Sequence, residues 1–353
     1  MLTVTIANFT AIILAASGRL FRKEKAMLLV ATILLTLFYS IRTDYGNDIP
    51  AYMRLFDNIS ESSFSNIFDI NDRIEPGWLV LNYIFVPLGW QAFITFLTII
   101  QFGTFYWLVN KYSIPKQFWI VLAMYILFPH MMLVSLSMLR QALAMSIIAW
   151  AIPSILNKRL LIPLILIFLA STIHTSAYVA LLLIALPYIS GLRKQFLVIS
   201  FICIFVCLFI AESLVGDILN IFLENETFER YSGYADGEQN LGSGLGVLLF
   251  VICVIWLFLW HNDSSIHTFF ILVYAIYVVL IPFVYNIPLV GRISCYFQLY
   301  SLVALPLLIL RKGDFIGKFI FTVMIYIIIS SYFNFFESPV WHDAYSTYYT
   351  IFN

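Results

Sequence analysis

Apolar runs long enough to cross about 30 Å of hydrocarbon follow one another along this chain from Leu2 to Phe335, and only short polar stretches separate them. Backbone donors and acceptors inside lipid must be satisfied by the chain itself, so such runs fold as helices. The residue balance agrees. The chain is 62% hydrophobic and 11% charged with a mean hydropathy of +0.95, which no soluble globular domain reaches. The expectation is an all-α polytopic membrane protein, one membrane domain over residues 1–353, with the lipid bilayer as its first partner. The N-terminus is apolar from Leu2 with no basic segment before the first run, and reads as a retained helix. Cys203, Cys207, Cys253 and Cys295 all fall in apolar helical runs, where buried small side chains are expected.

Charge sets the sidedness. The first run ends in RLFRKEK, Arg19–Lys25, the densest basic cluster, which the positive-inside rule places in the cytoplasm. A second run, 26–41, then leads to an acidic, lysine-free outer loop, 42–75. Pro76, Pro87 and Gly89 break the next stretch into a short re-entrant or interfacial helix, 76–86, and a span, 91–109. A span over 118–133 and the helix that carries Arg140 follow. The apolar run 160–189 divides into two short spans with His174 at the outer turn, because only that parity keeps Arg193, Lys194, Arg311, Lys312 and Lys318 inside. A span over 196–210, an outer loop 212–242 and four further spans, 247–260, 268–284, 292–310 and 315–335, complete about twelve crossings. All lysines are then cytoplasmic, and the outward basic residues are arginines: Arg42, Arg54, Arg73, Arg140, Arg230 and Arg292. Arginine among carboxylates suits bidentate recognition of an anion.

The unusual polar residues gather on that outer side, and each has two readings. Asp48, ahead of Tyr52, Leu55 and Phe56 at helical spacing, either caps an interfacial helix or presents a carboxylate and a tyrosine ring to a sugar. Glu75, before Pro76, caps the short helix or is a catalytic carboxylate. Arg140 snorkels to lipid phosphates or, among Ser135, Ser137 and Gln141, lines a polar cavity. His174, within STIHTS, is a satisfied structural group or a base. Arg292 opens a late helix with Tyr296 one turn on. Tyr231 and Tyr234, among acids in the loop 212–242, belong to a solvated lid or to a cover over a glycan groove. The tail WHDAYSTYYTIFN is aromatic and expected at the membrane interface. No metal-ligand spacing, phosphate loop, dinucleotide fingerprint or serine-hydrolase elbow occurs, so no metal or cofactor and no nucleic-acid partner is expected.

GNDIPAY at 46–52, EPGWLVLNYIF at 75–85, MLRQALAMSI at 138–147, STIHTSAY at 171–178 and GRISCYFQLY at 291–300, followed by the aromatic tail, occur in that order over nearly the whole chain. In these the sequence resembles the EpsG-like branch of the Wzy polysaccharide polymerases. The resemblance implies a GT-C type of membrane fold and a glycosyltransferase. Its donor and acceptor would be oligosaccharide repeat units on undecaprenyl pyrophosphate, and a chain-length regulator is a further partner. Localisation would be the bacterial inner (cytoplasmic) membrane, with the site facing the periplasm or outside. On this reading Arg140, Arg292 and Arg42 bind the pyrophosphate. His174, Glu75 and Asp48 are candidate bases, in that order, and Tyr52, Tyr231 and Tyr234 contact sugar. A lipid-linked oligosaccharide flippase, an O-antigen ligase and a membrane acyltransferase are the alternatives. A flippase would need charges along a passage reachable from both faces, whereas these cluster at one.

Overall fold

The computed structural model describes residues 1–71, 73–189, 195, 245–260, 265–286, 288–309 and 314–352. Their regular structure is helical, with one isolated bridge between Arg42 and Thr350 in place of strands. The span 196–210 and the loop 212–242, with Tyr231 and Tyr234, lie outside the described residues. Among the described residues five helices are long and apolar enough to cross a membrane: Leu2–Phe21, Trp90–Tyr112, Leu139–Leu156, Val290–Ile309 and Phe315–Glu337. Shorter apolar helices accompany them, so the chain is a multi-pass membrane protein.

Two compact units divide it, one of residues 1–181 with 328–353 and the other of residues 182–327. In the first unit, α1 (Leu2–Phe21) and α2 (Glu24–Ser40) fold back on each other through two residues. Arg22 takes a left-handed φ of 55° and the Lys23 N–H returns to the Gly18 carbonyl at 2.8 Å, closing the turn. A buried polar chain ties these helices to the last one: the Tyr39 hydroxyl donates to Asn8 at 2.9 Å, and Asn8 donates to the Tyr332 hydroxyl at 3.1 Å. Such interhelical bonds hold helices together where lipid supplies no hydrophobic drive.

The loop 42–75 contains α3 (Ile49–Ser60), whose buried face is Ile49, Tyr52, Leu55, Phe56 and Ile59, on the spacing read from the sequence. Then come α4 (Pro76–Phe85) and α5 (Trp90–Tyr112). A buried aromatic run stitches the three together, with Tyr52 on Trp78 at 5.5 Å, Trp78 on Phe93 at 5.2 Å and Phe93 on Phe56 at 5.9 Å between ring centres. One expectation is revised. The span over 118–133 is not one helix: α6 (Phe118–Leu127) stops before Pro129, whose ring drives Phe128 into an extended conformation. The chain re-forms as α7 (Leu133–Ser137) and then α8 (Leu139–Leu156). The tail is packed into the unit. Its backbone pairs with residues 41–46, through Thr43 to Tyr349, Gly46 to Ala344 and Ile351 to Ile41, and Tyr345 is wholly buried with its hydroxyl on the Leu133 carbonyl at 3.2 Å. The division of 160–189 holds, as α9 (Leu161–Ile173) ends at an extended His174 and a 3-10 turn, Thr175–Ala180, leads to α10 (Leu181–Ile189).

In the second unit the helices Leu245–Trp260, Ser265–Asn286 and Pro288–Gln298 correspond to expected spans. Asp314 caps the Phe315–Glu337 helix through the Gly317 N–H at 2.7 Å and accepts the Trp256 indole N–H at 2.9 Å.

Candidate functional site

Four of the five motifs meet in the first unit. Glu75 precedes a proline, so its backbone is extended, and its side chain makes no capping bond to α4. The carboxylate reaches across the unit instead. Its Oε2 lies 2.5 Å from Nη1 of Arg140 at the start of α8, and its Oε1 accepts from the N–H of Thr175 at 2.9 Å and from the Thr175 hydroxyl at 3.0 Å. Nδ1 of His174 stands 3.4 Å from the same Oε1. Arg140 is braced on its other edge by Tyr52, whose hydroxyl takes a long bond from Nε at 3.4 Å and whose ring centre lies 5.9 Å below the guanidinium carbon. The side chains of Arg140 and Glu75 are 19% and 14% exposed, so the pair is sheltered yet reachable.

The electrostatics follow from this geometry. Burial by itself raises the Glu75 carboxyl, but the His174 ring, the charge of Arg140 and the Thr175 N–H outweigh it and hold the group down to about 2. Glu75 is therefore a firm carboxylate at neutral pH and a weak base. Arg140 Nη2 makes no hydrogen bond to a described residue, so one edge of the guanidinium keeps donors for an anion. His174 differs from a satisfied core histidine. Nδ1 has only the 3.4 Å contact with Glu75, which falls short of hydrogen-bond geometry, and Nε2 is buried without a partner, which costs about 1–3 kcal/mol unless something else supplies the bond.

Two glycines bring the motifs this close. A Cβ on Gly77, at the start of α4, would stand 2.4 Å from the Thr172 hydroxyl and 2.7 Å from the Thr172 carbonyl oxygen, so α4 lies on α9 only because this residue has no side chain. Gly46 holds φ +128°, and a Cβ there would meet Ser137 Cβ at 2.5 Å. That approach lets the Asp48 N–H donate to the Ser137 hydroxyl at 3.0 Å and sets the half-buried Asp48 beside the segment that leads into Arg140. Asp48 occupies the N-cap position of α3 without a side-chain capping bond, so neither carboxylate is a simple cap.

The other expected site residues fall elsewhere. Arg42 is 1% exposed, and its guanidinium is turned onto the protein: Nη1 donates to the Tyr39 carbonyl at 2.5 Å and to Thr98 at 2.7 Å, and Nη2 to the Leu136 carbonyl at 3.2 Å, while Nε is buried without a hydrogen-bond partner. Burial lowers it to about 10, still cationic at neutral pH. Tyr52 is buried against Arg140 and Trp78, which revises the expectation of a ring open to a sugar. Arg292 is half-buried in the Pro288–Gln298 helix of the second unit. Thr175, whose two bonds fix Glu75, was not singled out by the sequence reading. The signal was its place directly after His174.

The sequence model of the EpsG family matches residues 25–350, a range that takes in every motif described above. No curated protein and no solved structure gives a significant match to the chain.

Proposed function

The chain belongs to the EpsG family, whose members are Wzy-type polymerases, and on that premise we propose that it joins undecaprenyl-pyrophosphate-linked oligosaccharide repeat units into a polysaccharide. The reaction takes place at the periplasmic or outer face of the cytoplasmic membrane, in a GT-C type of fold with about twelve crossings. The distribution of lysine and arginine supports that sidedness.

The observation that carries the reading is the chain Arg140–Glu75–His174 in one sheltered place. An acceptor hydroxyl attacks the anomeric carbon of the donor, the bond from that carbon to the pyrophosphate oxygen breaks, and undecaprenyl pyrophosphate leaves. Negative charge develops on the pyrophosphate as the bond lengthens. Arg140, oriented by Glu75 and Tyr52 before substrate arrives, stabilises it with the edge that it keeps unbonded. The proton of the acceptor passes to His174, whose ring nitrogens make no hydrogen bond and whose Nδ1 faces the Glu75 carboxylate at 3.4 Å, and not to Glu75, a carboxylate held down to about 2. Asp48 holds the acceptor. Arg292 is the second arginine for the leaving group, and Tyr231 and Tyr234 contact sugar, both on the strength of their sequence setting. Arg42, buried with both terminal nitrogens bonded to the protein, takes a structural part.

The test is the length distribution of lipid-linked glycan in cells that lack the native gene and carry wild type, Arg140→Ala, His174→Ala or Arg292→Ala. Single repeat units in the null strain and in the Arg140 and His174 variants, with each protein stably inserted, are expected. Long undecaprenyl-linked chains in the null strain would overturn the reading. Failure to cap a lipid core would then indicate a ligase, and loss of outward-facing units a flippase.

A further inference from the structure

Thr175 grips Glu75 with both of its donors, its N–H and its hydroxyl, at a single oxygen. A carboxylate oxygen offers two lone-pair sites, and both on Oε1 are filled. This accounts for the state of His174. Its Nδ1 stands 3.4 Å from that oxygen, near enough to act on the carboxylate's charge but outside hydrogen-bond geometry. Thr175 is itself exposed, so its hydroxyl would be satisfied by water at little cost if it turned outward. It turns inward, onto the carboxylate.

We propose that Thr175 is a positioning residue of this site: it occupies Oε1 of Glu75, so that Oε2 stays on Arg140 and the His174 ring stays unclaimed by the carboxylate. The inference rests on the polymerase reading for the reaction that it serves. Without the hydroxyl, one site on Oε1 opens to Nδ1 of His174. The carboxylate then turns toward the ring, and Arg140 loses part of its brace.

The experiment compares full-length wild type, Thr175→Val, which keeps the shape without the hydroxyl, and Thr175→Ser, which keeps the hydroxyl. Each is purified in detergent, checked to be monodisperse, and given the lipid-linked oligosaccharide fraction extracted from the deletion strain. Transfer by Thr175→Val at saturating substrate is expected to fall about tenfold, the scale of one hydrogen bond to a charged group, with KM little changed and Thr175→Ser close to wild type. Nitrogen-15 spectra of histidine-labelled protein, with the His174 signal assigned by His174→Gln, are expected to show a newly hydrogen-bonded Nδ1 in Thr175→Val and the wild-type signal in Thr175→Ser. A Thr175→Val protein that keeps both the wild-type rate and the wild-type His174 signal overturns the proposal, and so does a Thr175→Ser protein as slow as Thr175→Val. If wild type itself elongates nothing from this fraction, the polymerase reading is what fails, and the His174 signal alone then upholds or overturns the role of the hydroxyl.

Discussion

Replacing Gly77 by alanine tests whether the close approach of α4 to α9 is what assembles the site. The new Cβ would stand 2.7 Å from the Thr172 carbonyl oxygen, an atom fixed in the last turn of α9, and 2.4 Å from a hydroxyl that already donates to the Leu169 carbonyl at 2.7 Å. The hydroxyl can rotate away at the loss of one bond. The carbonyl cannot, so the first turn of α4 must lift by about 0.7 Å to reach ordinary van der Waals contact. Glu75 is two residues away and moves with it. The bonds of 2.9 and 3.0 Å to Thr175 then stretch toward and past the hydrogen-bonding limit. Overpacking of this kind costs about 1–3 kcal/mol in stability. Misplacing an orienting group by up to 1 Å lowers turnover by roughly 10- to 100-fold. The assay is glycan elongation in membranes normalised for inserted protein, paired with a melting curve in detergent. Gly103→Ala on α5 is the control, since nothing lies within 4 Å of a Cβ there. A Gly77→Ala protein that elongates glycan as fast as Gly103→Ala would refute the reasoning.

Three more outcomes are expected. Arg140→Lys should lose activity about as fully as Arg140→Ala, by roughly a hundredfold or more, because an ammonium cannot bond Glu75 and Tyr52 on two edges and still offer donors to an anion; elongation rates check this, and rescue by lysine would contradict it. Glu75 is held below its ordinary value of 4.5, to about 2, so its ionised form stabilises the fold above the upper value and the benefit is lost as pH falls through the lower one. The difference in melting temperature between wild type and Glu75→Gln should therefore hold steady from pH 7 to 5 and shrink between about 4.5 and 2, and a difference that does not change over that window would count against the assignment. Tyr345→Phe removes the bond to the Leu133 carbonyl and leaves a buried acceptor without its donor, so it should cost about 1–3 kcal/mol by denaturation, whereas Tyr349→Phe, half exposed, should cost little.

Hydropathy and punctuation alone made much of this protein legible. The apolar runs required helices, the spacing of Tyr52, Leu55 and Phe56 gave the buried face of α3, Pro76 and Gly89 bounded the short helix, and the polar cluster around His174 marked a real break. These are local properties, written in residues a few positions apart. Partnership is not local. Glu75 pairs with Arg140 at a separation of 65 residues and with Thr175 at a separation of 100, and nothing in its own neighbourhood distinguishes a carboxylate that caps its helix from one that leaves it. Tyr52 looked open to a sugar because periodicity locates a buried face without saying what covers it, and Trp78 and Arg140 cover it. The aromatic composition of the tail gave no sign that Tyr345 is wholly buried with its hydroxyl on the Leu133 carbonyl, while Tyr349, Ile351 and Phe352 stay exposed. The sequence by itself determined a membrane-embedded helical protein and picked out the polar residues of its ordered motifs. Only the tertiary structure decided which of them share a site, because that depends on how closely backbones approach at Gly46 and Gly77, and the approach is a property of packed helices rather than of any one of them.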